Sequence, residues 1–508
     1  MVTWSGLVLV LLSTVLGWAT LWPARRSLGT LAYHLYAFPV GLLAWSTAGA
    51  TTTLLGLDFR TPGVALGLAL FVVLVAGAQR IGSEAPQGQT PPWWSLLLTG
   101  AALAAVCVVM IFAGYTIGSW DSIVHYEGGG LWLYDTGTLS PQIMGEWAPL
   151  IPSMHAANRL LGGHWNYVPY PVLALHVLAL LGLVLHRFAF ASLPRVPRAL
   201  LTGVTVLVLA TLPSFAFHAL YVHSQMISAA YLLGALVALR HAWEDGPGRA
   251  AWVTVSALCA AGLALARPDG LAYVFVPLTV AGVLALDGRW HLRERLRHGL
   301  LLWFLVASPY LSAMARAGLY ASRKLPATQA LGMLGVLLLA VLVLVVVPTR
   351  ERLARVLADR GVVISLFVAP LALIPVILAF DAQDLATTVS NMVGNLLYAG
   401  GYGNLWYVLA SGVVVTLAFP RLRRASDFSD LLGLALVQFF AIALVVHTLG
   451  HPGRLSMADS FNRVAFHTVP VFLWYLAAFA GTALHVVLLA RTPPAGDTSS
   501  LDTAGSPP

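Results

Sequence analysis

The residues best suited to chemistry lie in one stretch, 114–165, the longest polar interval of an otherwise apolar chain. Charged groups beside long apolar runs are costly to keep near a bilayer, so they tend to mark functional sites. We therefore expect the reaction centre of the protein in this stretch. Its ionisable residues are Asp121, His125, Glu127, Asp135, Glu146, His155 and Arg159, and they lie among Trp120, Trp132, Trp147 and Trp165.

Two carboxylates in this stretch are candidates for acid–base work. Asp121 directly follows an apolar run, and partial desolvation at a membrane surface makes an ionised carboxylate a stronger base. A carboxylate within reach of an acceptor hydroxyl can take its proton. Glu146 precedes Pro149 and Pro152, which suit the start of a short helix along the membrane surface, continued by the amphipathic run 154–161. The alternative for Asp121 is a helix cap or an interfacial anion without a catalytic role.

Helical spacing relates the first three candidates of this stretch. If the segment is helical, Asp121 and His125 share one face, and Ile123 and Glu127 share another. The pair Asp121 and His125 could also hold a metal, but the chain lacks a zinc spacing such as HExxH. A divalent metal is therefore compatible with the sequence and not required by it. The tryptophans fit either an interfacial belt or stacking on a sugar ring.

Composition defines the elements that must position these residues. The chain is 59% hydrophobic and 9% charged, whereas soluble domains carry about 25% charged residues. Runs of about 20 apolar residues recur throughout, and each can cross a bilayer as a helix. We predict an all-α polytopic membrane protein with about 15 spans. They lie near 4–22, 31–57, 62–79, 95–117, 166–187, 199–217, 221–240, 250–266, 271–287, 299–313, 329–348, 361–380, 403–419, 429–449 and 464–490.

The basic residues predict the orientation of these spans. Most of the 28 lysines and arginines fall in alternate loops, and the basic-rich side of a membrane protein is cytoplasmic. The stretch 114–165 then faces outward and the carboxyl tail inward, in a cytoplasmic membrane. The net charge of +8 reflects these loops, so we expect membrane lipids and no nucleic acid as partners. The poorer, outward side holds Arg60, Arg159, Arg267, Arg316, Arg323, Lys324, Arg454 and Arg463.

Three regions follow from this pattern. Residues 1–94 form additional amino-terminal spans and a linker, 95–490 form the main membrane domain, and 491–508 form a disordered tail too polar to bury a core.

The outward side also carries candidates for anion binding. Arg267 follows a predicted span and can meet a phosphate, while Asp269 either contacts substrate or pairs with Arg267. Arg454 and Arg463, in the last outward loop, can clamp a lipid-linked phosphate or bind anionic headgroups. Histidines at the outward edge are His125, His155, His218, His223, His447, His451 and His467. We assign substrate binding to His125, Glu127, His155, Arg267, Asp269, Arg454 and Arg463.

These motifs resemble the GT-C superfamily of membrane glycosyltransferases, close to protein O-mannosyltransferases and lipid A aminoarabinose transferases. Asp121 in Trp-Asp-Ser matches the key aspartate of the family's first outward loop. Glu146 with Pro149 and Leu150 matches the surface helix that follows. The turn Arg-Pro-Asp-Gly at 267–270 is similar to an Arg-Pro-Glu-Gly turn in bacterial members, and Asn-Arg at 462–463 precedes the final span.

The resemblance implies transfer of a sugar from a polyprenyl-phosphate donor to a hydroxyl of an envelope glycan, lipid or protein. It implies Asp121 and Glu146 as catalytic residues and no obligatory metal. The chain departs from the pattern at Trp147, where one subgroup has lysine, and in having three spans before the loop. The alternatives are a transporter or lipid flippase, and an O-antigen-type polymerase or ligase that relies on Arg454 and His451.

Overall fold

The computed structural model describes residues 4–55, 57–60, 63–80, 122–139, 148–165, 167–244, 248–267, 269–286, 360–399, 402–419, 427–450 and 460–491. Within these ranges the regular elements are helices. The predicted all-α class is therefore confirmed for the part of the chain that is described.

The helices, numbered in chain order, begin with α1 (Trp4–Leu21), α2 (Arg25–Leu28), α3 (Thr30–Leu55), α4 (Gly63–Arg80), α5 (Gly128–Thr136), α6 (Leu150–Leu160), α7 (Pro169–Val184), α8 (Arg195–Thr211), α9 (Pro213–Leu220) and α10 (Ser224–Glu244). They continue as α11 (Arg249–Ala266), α12 (Gly270–Tyr273), α13 (Phe275–Leu286), α14 (Arg360–Phe380), α15 (Ala382–Gly394), α16 (Leu405–Ala418), α17 (Asp427–Gly450), α18 (Ser460–Phe466) and α19 (Val469–Arg491). A 3-10 turn, Trp22–Ala24, joins α1 to α2, and π-helical segments occupy Ser122–Glu127, Leu185–Ala189 and Asn395–Ala399.

Six of the described helices are long and apolar enough to cross a membrane, or seven if one bent pair counts as a span. These lengths and compositions are those of a helical membrane protein. The total of about 15 spans stays a prediction. The predicted runs near 95–117, 299–313 and 329–348 lie outside the described residues. The tail after Arg491 and the boundary near residue 94 lie outside them as well. The described helices at the predicted spans 31–57, 62–79, 271–287, 361–380 and 403–419 are not among the six that are long and apolar enough to cross a membrane.

The predicted span 199–217 differs from the structure, which divides it into α8 and α9 with a bend of 65°. The break falls at Leu212, whose backbone is extended (φ −64°, ψ 128°), and Pro213 is the first residue of α9. The proline ring disfavours helical dihedrals in the residue before it. A single proline therefore interrupts a run that is continuous in hydropathy.

The centre of the molecule is the pair α10 and α11, which run antiparallel and are buried along almost their whole length. The amino-terminal helix α3 packs into the same core. The Tyr36 hydroxyl donates to the carbonyl of Gly234 at 2.9 Å, and the Tyr231 hydroxyl donates to the carbonyl of Pro39 at 2.7 Å. The helix α3 is therefore integral to the bundle core.

The two ends of this central pair differ in character. One end holds Ser224 at the start of α10 and Arg267 just after α11, and Arg267 Nη1 donates to Ser224 Oγ at 3.4 Å. The other end holds Arg240 and Arg249, about 30 Å away for a helix of this length, and Arg249 Nε donates to the carbonyl of Ala242. We call the first of these the polar end of the bundle, because the candidate site residues that are described gather there.

Candidate functional site

The predicted site residues divide into those the structure describes and those it does not. Asp121, Glu146 and Arg454 lie outside the described residues. The described candidates are His125, Glu127, His155, Arg267, Asp269 and Arg463. Five of them fall into the two clusters below, and His125 is partly exposed on the same π-helical segment as Glu127.

Glu127 is the buried carboxylate of the first cluster. Its Oε2 lies 2.6 Å from His155 Nδ1, and its Oε1 accepts a hydrogen bond from Arg159 Nη2. His155 and Arg159 are one turn apart on α6, so they reach the carboxylate side by side. Burial alone would raise the pKa of Glu127, but the contacts with His155 and Arg159 hold that pKa below its ordinary value. The cluster keeps an ionised carboxylate inside the protein.

Close helix packing places this cluster. A Cβ on Gly130 of α5 would lie 2.5 Å from the Cβ of His155 and 3.0 Å from the backbone nitrogen of Ala156. Only a glycine permits this approach of α5 to α6. Residues Leu150 to Asn158 of α6 are all buried, because α3 and α5 cover the helix. The helix predicted for the membrane surface is therefore present but enclosed in the core.

The π-helical segment Ser122–Glu127 overturns the predicted shared face of Ile123 and Glu127, whereas the predicted face of Asp121 and His125 is not tested, because Asp121 lies outside the described residues. Ile123 is 57% exposed whereas Glu127 is 8% exposed, so the two do not share a face. Hydrogen bonds in a π-helix span five residues instead of four, which rotates successive side chains away from α-helical register. Ser122, Tyr126 and Glu127 are consequently the buried residues of the segment.

The second cluster begins with Arg267 and Asp269. The carboxylate receives Arg267 Nε at 2.6 Å on Oδ1 and Nη2 at 3.0 Å on Oδ2. Each side chain is 12% exposed. Burial favours the neutral form of Arg267, but the Asp269 carboxylate outweighs it and raises the pKa of the guanidinium. Asp269 is thus the ion-pair partner of Arg267, and Nη1 of the same guanidinium extends to Ser224.

His223 and Arg463 meet at the same place, although 240 positions separate them in the sequence. The backbone N–H of Ser224 donates to His223 Nδ1 at 2.9 Å. Arg463 Nη1 lies 3.3 Å from His223 Nε2. A guanidinium carries donors only and suits an anionic oxygen, so Arg463 and the imidazole of His223 together offer polar contacts for an anion.

The two clusters are joined through the start of the π-helical segment. Ser122 Oγ donates to the carbonyl of Val222 at 2.6 Å. The Tyr126 ring meets the His223 ring edge-on at 5.1 Å, and the Tyr221 ring stacks on the His223 ring at 5.1 Å. Tyr126 and Glu127 are neighbours in the chain, so a single segment contacts both the carboxylate cluster and the imidazole of His223.

Two further histidines complete this basic group. The rings of His218 and Phe466 lie 4.5 Å apart, and His467 lies 6.2 Å from Tyr273 and 6.1 Å from Phe439. Burial, reinforced by Arg267, His218 and His223, lowers the pKa of His467 well below its ordinary value. We call Arg267, Arg463, His218, His223 and His467 together the arginine–histidine cluster.

Sequence reasoning gave no substrate-binding or catalytic role to His218, His223, His467, Tyr126 or Arg159. The three histidines were noted at the outward edge, and Arg159 among the ionisable residues of the stretch 114–165. Tyr126 carried no such signal, because its role depends on how the π-helical segment packs against His223.

Among the described residues, no group of three His, Cys, Asp or Glu side chains is arranged to hold a metal ion. No family model, no curated protein and no solved structure matches the chain.

Proposed function

We propose that this protein is a membrane glycosyltransferase that moves a sugar from a polyprenyl-phosphate donor to an acceptor hydroxyl at the outer face of the cytoplasmic membrane. The observation that carries the proposal is the arginine–histidine cluster at the polar end of the bundle. It brings Arg267, Arg463 and His223 together at the first residue of α10. A helix amino terminus adds a partial positive charge there. A phosphate at a membrane surface is the ligand that this chemistry fits.

The roles follow from the chemistry of transfer. The arginine–histidine cluster binds the donor phosphate and stabilises the charge that develops on the leaving oxygen. Asp121, adjacent in sequence to Ser122, takes the proton of the acceptor hydroxyl. Glu127, held ionised by His155 and Arg159, orients the acceptor, and Glu146 supports it as a second carboxylate. Because the leaving group is a phosphate, a divalent metal is not required, and Arg454 is a further phosphate contact.

The proposal is tested with the full chain in membranes that contain a lipid-linked sugar donor. Arg463→Gln removes one donor of the phosphate site, and we expect a loss of transfer of about 100-fold, as for other oxyanion contacts. Asp121→Asn removes the base, and we expect a loss of about 100-fold or more. The measurement is the rate of radiolabelled sugar incorporation into the acceptor fraction.

Arg60→Gln is the matched control, because Arg60 is exposed and pairs with the nearby Asp58. This variant should retain wild-type transfer. Full transfer by Asp121→Asn and Arg463→Gln, at equal protein level, would remove both residues from the mechanism. An enzyme of the polymerase or ligase type would instead lose activity in Arg454→Ala and keep it in Asp121→Asn.

A transporter is the second candidate, favoured by the 65° bend between α8 and α9. Broken spans are common in transporters, where the binding site lies near the bilayer midplane. Here Ser224, Arg267 and Arg463 lie at helix ends, which favours chemistry at a surface. Movement of labelled donor across proteoliposomes without sugar transfer would establish the transporter instead.

A further inference from the structure

Three buried side chains beside Arg267 carry polar atoms without a protein partner. In the part of the chain that is described, these atoms are Tyr273 Oη, His218 Nδ1 and both ring nitrogens of His467. Tyr273 and His467 are 0% exposed, and His218 is 3% exposed. Leaving a buried polar atom unpaired is costly, so such atoms usually have a partner. Several of them in one place indicate that the partner is a molecule that binds there.

All three side chains interact with the same guanidinium. Arg267 acts electrostatically on Tyr273, on His218 and on His467. Tyr273 ends α12, His218 lies in the last turn of α9, and His467 lies in the turn between α18 and α19. The ring centroids of Tyr273 and His467 are 6.2 Å apart. The packing of different elements therefore gathers these polar atoms next to a proposed phosphate contact.

The unpaired atoms include both donors and acceptors. A tyrosine hydroxyl can donate and accept, and a neutral imidazole has one nitrogen of each kind. A phosphate oxygen without a proton only accepts, so phosphate does not satisfy the whole set. A sugar hydroxyl both donates and accepts. The rings of Phe439 and Phe466 lie beside the two histidines, and apolar walls with a few polar groups are typical of sites for small molecules.

Positive charge is disfavoured at this place. Burial lowers the pKa of His467 well below its ordinary value, and Arg267, His218 and His223 act in the same direction. The residue of α17 that packs on the His467 ring is Phe439, which is uncharged. The same burial and the same guanidinium would oppose an ammonium group on a ligand. A sugar with a free amine is therefore a poor fit, and a sugar with hydroxyls only is a good one.

We propose that Tyr273, His218 and His467 form a subsite that binds the hydroxyls of an uncharged sugar on the donor and discriminates against an amino sugar. The inference rests on the proposed function and names the specificity of its donor site. The contacts of Arg267 and Arg463 with phosphate are the same for every donor of this kind, so they do not distinguish one sugar from another. The subsite supplies that distinction, and its residues determine specificity without taking part in the breaking of the sugar–phosphate bond.

The test uses the purified full chain in detergent and a matched set of phosphate diesters. Methyl farnesyl phosphate has no sugar, whereas farnesyl phosphoryl glucose, mannose and galactose each carry an uncharged hexose. All four have one negative charge, so their contacts with the arginines are alike. Isothermal titration calorimetry gives the affinities. We expect at least one hexose ester to bind about tenfold more tightly than the methyl ester, since each hydrogen bond gained contributes a factor of roughly 2 to 10.

An amino sugar isolates the preference for an uncharged ligand. The probe is the 2-amino-2-deoxy counterpart of the hexose ester that binds best. At about pH 6.5 an amine of this kind carries its proton. We expect this ester to bind about tenfold more weakly than the hexose ester, because the ammonium group has to be buried beside Arg267. Equal affinity of the two esters would overturn the discrimination.

Tyr273→Phe removes one hydroxyl and keeps the ring that stacks on Phe439. We expect the preference for the hexose ester over the methyl ester to fall about fivefold, with binding of the methyl ester unchanged. The melting temperature of the ligand-free protein should not fall, because the hydroxyl has no partner in the described chain. Tyr36→Phe is the matched control. Its hydroxyl donates to the carbonyl of Gly234, so this variant should melt at a lower temperature and keep the full hexose preference.

The possible results separate this inference from the proposed function. Equal affinity for the methyl ester and all three hexose esters overturns the sugar subsite and leaves the phosphate site standing. A hexose preference that Tyr273→Phe leaves intact overturns the subsite as placed here. Failure of the wild-type protein to bind any of the esters contradicts the phosphate site, and with it the proposed function. A hexose preference without sugar transfer in membranes supports the subsite and contradicts only the transferase activity.

Discussion

Glu127 has to remain ionised in a place where burial disfavours charge. His155 and Arg159 contact its side chain. The ring of Trp165 packs beside His155, at 6.2 Å between the ring centroids. Removing one partner of a buried ion pair leaves the other without its counter-charge. The carboxylate is therefore important for stability as well as for its proposed contact with the acceptor.

The first prediction at this scale concerns acid stability. The pKa of Glu127 is lower in the folded protein than in the unfolded chain. Its contribution is therefore present above the unfolded pKa of about 4.3 and is lost as pH falls through the folded pKa. Glu127→Gln should lower the melting temperature at neutral pH and flatten its decline below about pH 4.5. Thermal melts of detergent-purified protein across this range measure both effects.

Asp135→Asn provides the comparison, because Asp135 is an exposed carboxylate on the same helix, α5. Its melting curves should follow those of the wild-type protein. An acid dependence in Glu127→Gln equal to that of the wild type would show that other carboxylates dominate the transition.

Part of the site could be predicted from residue types alone. Arg267 and Asp269 are two residues apart in a polar turn, so their pairing was among the expected outcomes. The contact between Arg463 and His223 could not be predicted, since it joins residues 240 positions apart. Such a contact depends on how α10, α18 and α19 pack together, and one sequence does not contain that information.

At the scale of elements, the contact between α5 and α6 determines the geometry of the carboxylate cluster. Gly130 lies where the helices are closest. Gly130→Ala would place a methyl group against His155 and separate the helices, at a cost of about 1–3 kcal/mol for overpacking. We expect a lower melting temperature and a weaker acid dependence, because the Glu127 contacts open at the same time.

Gly128→Ala is a matched control two residues earlier on α5. A Cβ there would meet only the carbonyl oxygen of Ile123, at 3.4 Å. Replacing glycine by alanine in a helix contributes up to about 1 kcal/mol of helix propensity, so this variant should be as stable as the wild type or more stable. Equal destabilisation by both substitutions would rule out steric contact with α6 as the cause.

Hydropathy predicted most helices but not their internal breaks. The runs near 221–240 and 250–266 correspond to α10 and α11, because burial and lipid contact both select apolar residues. The bend at Leu212 and the π-helical segment at Ser122 were not predicted. A bend needs only one proline in a long apolar run, and a π-helical turn depends on local hydrogen bonding that leaves hydropathy unchanged.

At the scale of the whole molecule, the distribution of arginines predicts the orientation. Arg240 and Arg249 lie at the end of the central pair opposite to the site. If that end is cytoplasmic, Asp135 lies outside and Arg295 inside. We therefore expect activity from a phosphatase reporter, which works outside the membrane, when it is fused after Asp135. We expect fluorescence from a fluorescent-protein reporter, which works inside, when it is fused after Arg295. Both positions on the same side would reject the predicted topology.

The contacts between α3 and α10 also constrain how the protein is made. Tyr36 and Gly234 are 198 positions apart, and Tyr231 and Pro39 are 192 apart. At a synthesis rate of about 5–20 residues per second, α3 is made roughly 10–40 s before α10 exists. During that interval its buried aromatic and small polar residues lack their native partner. The packing of α3 in the core is therefore completed only after the synthesis of α10, late in biogenesis.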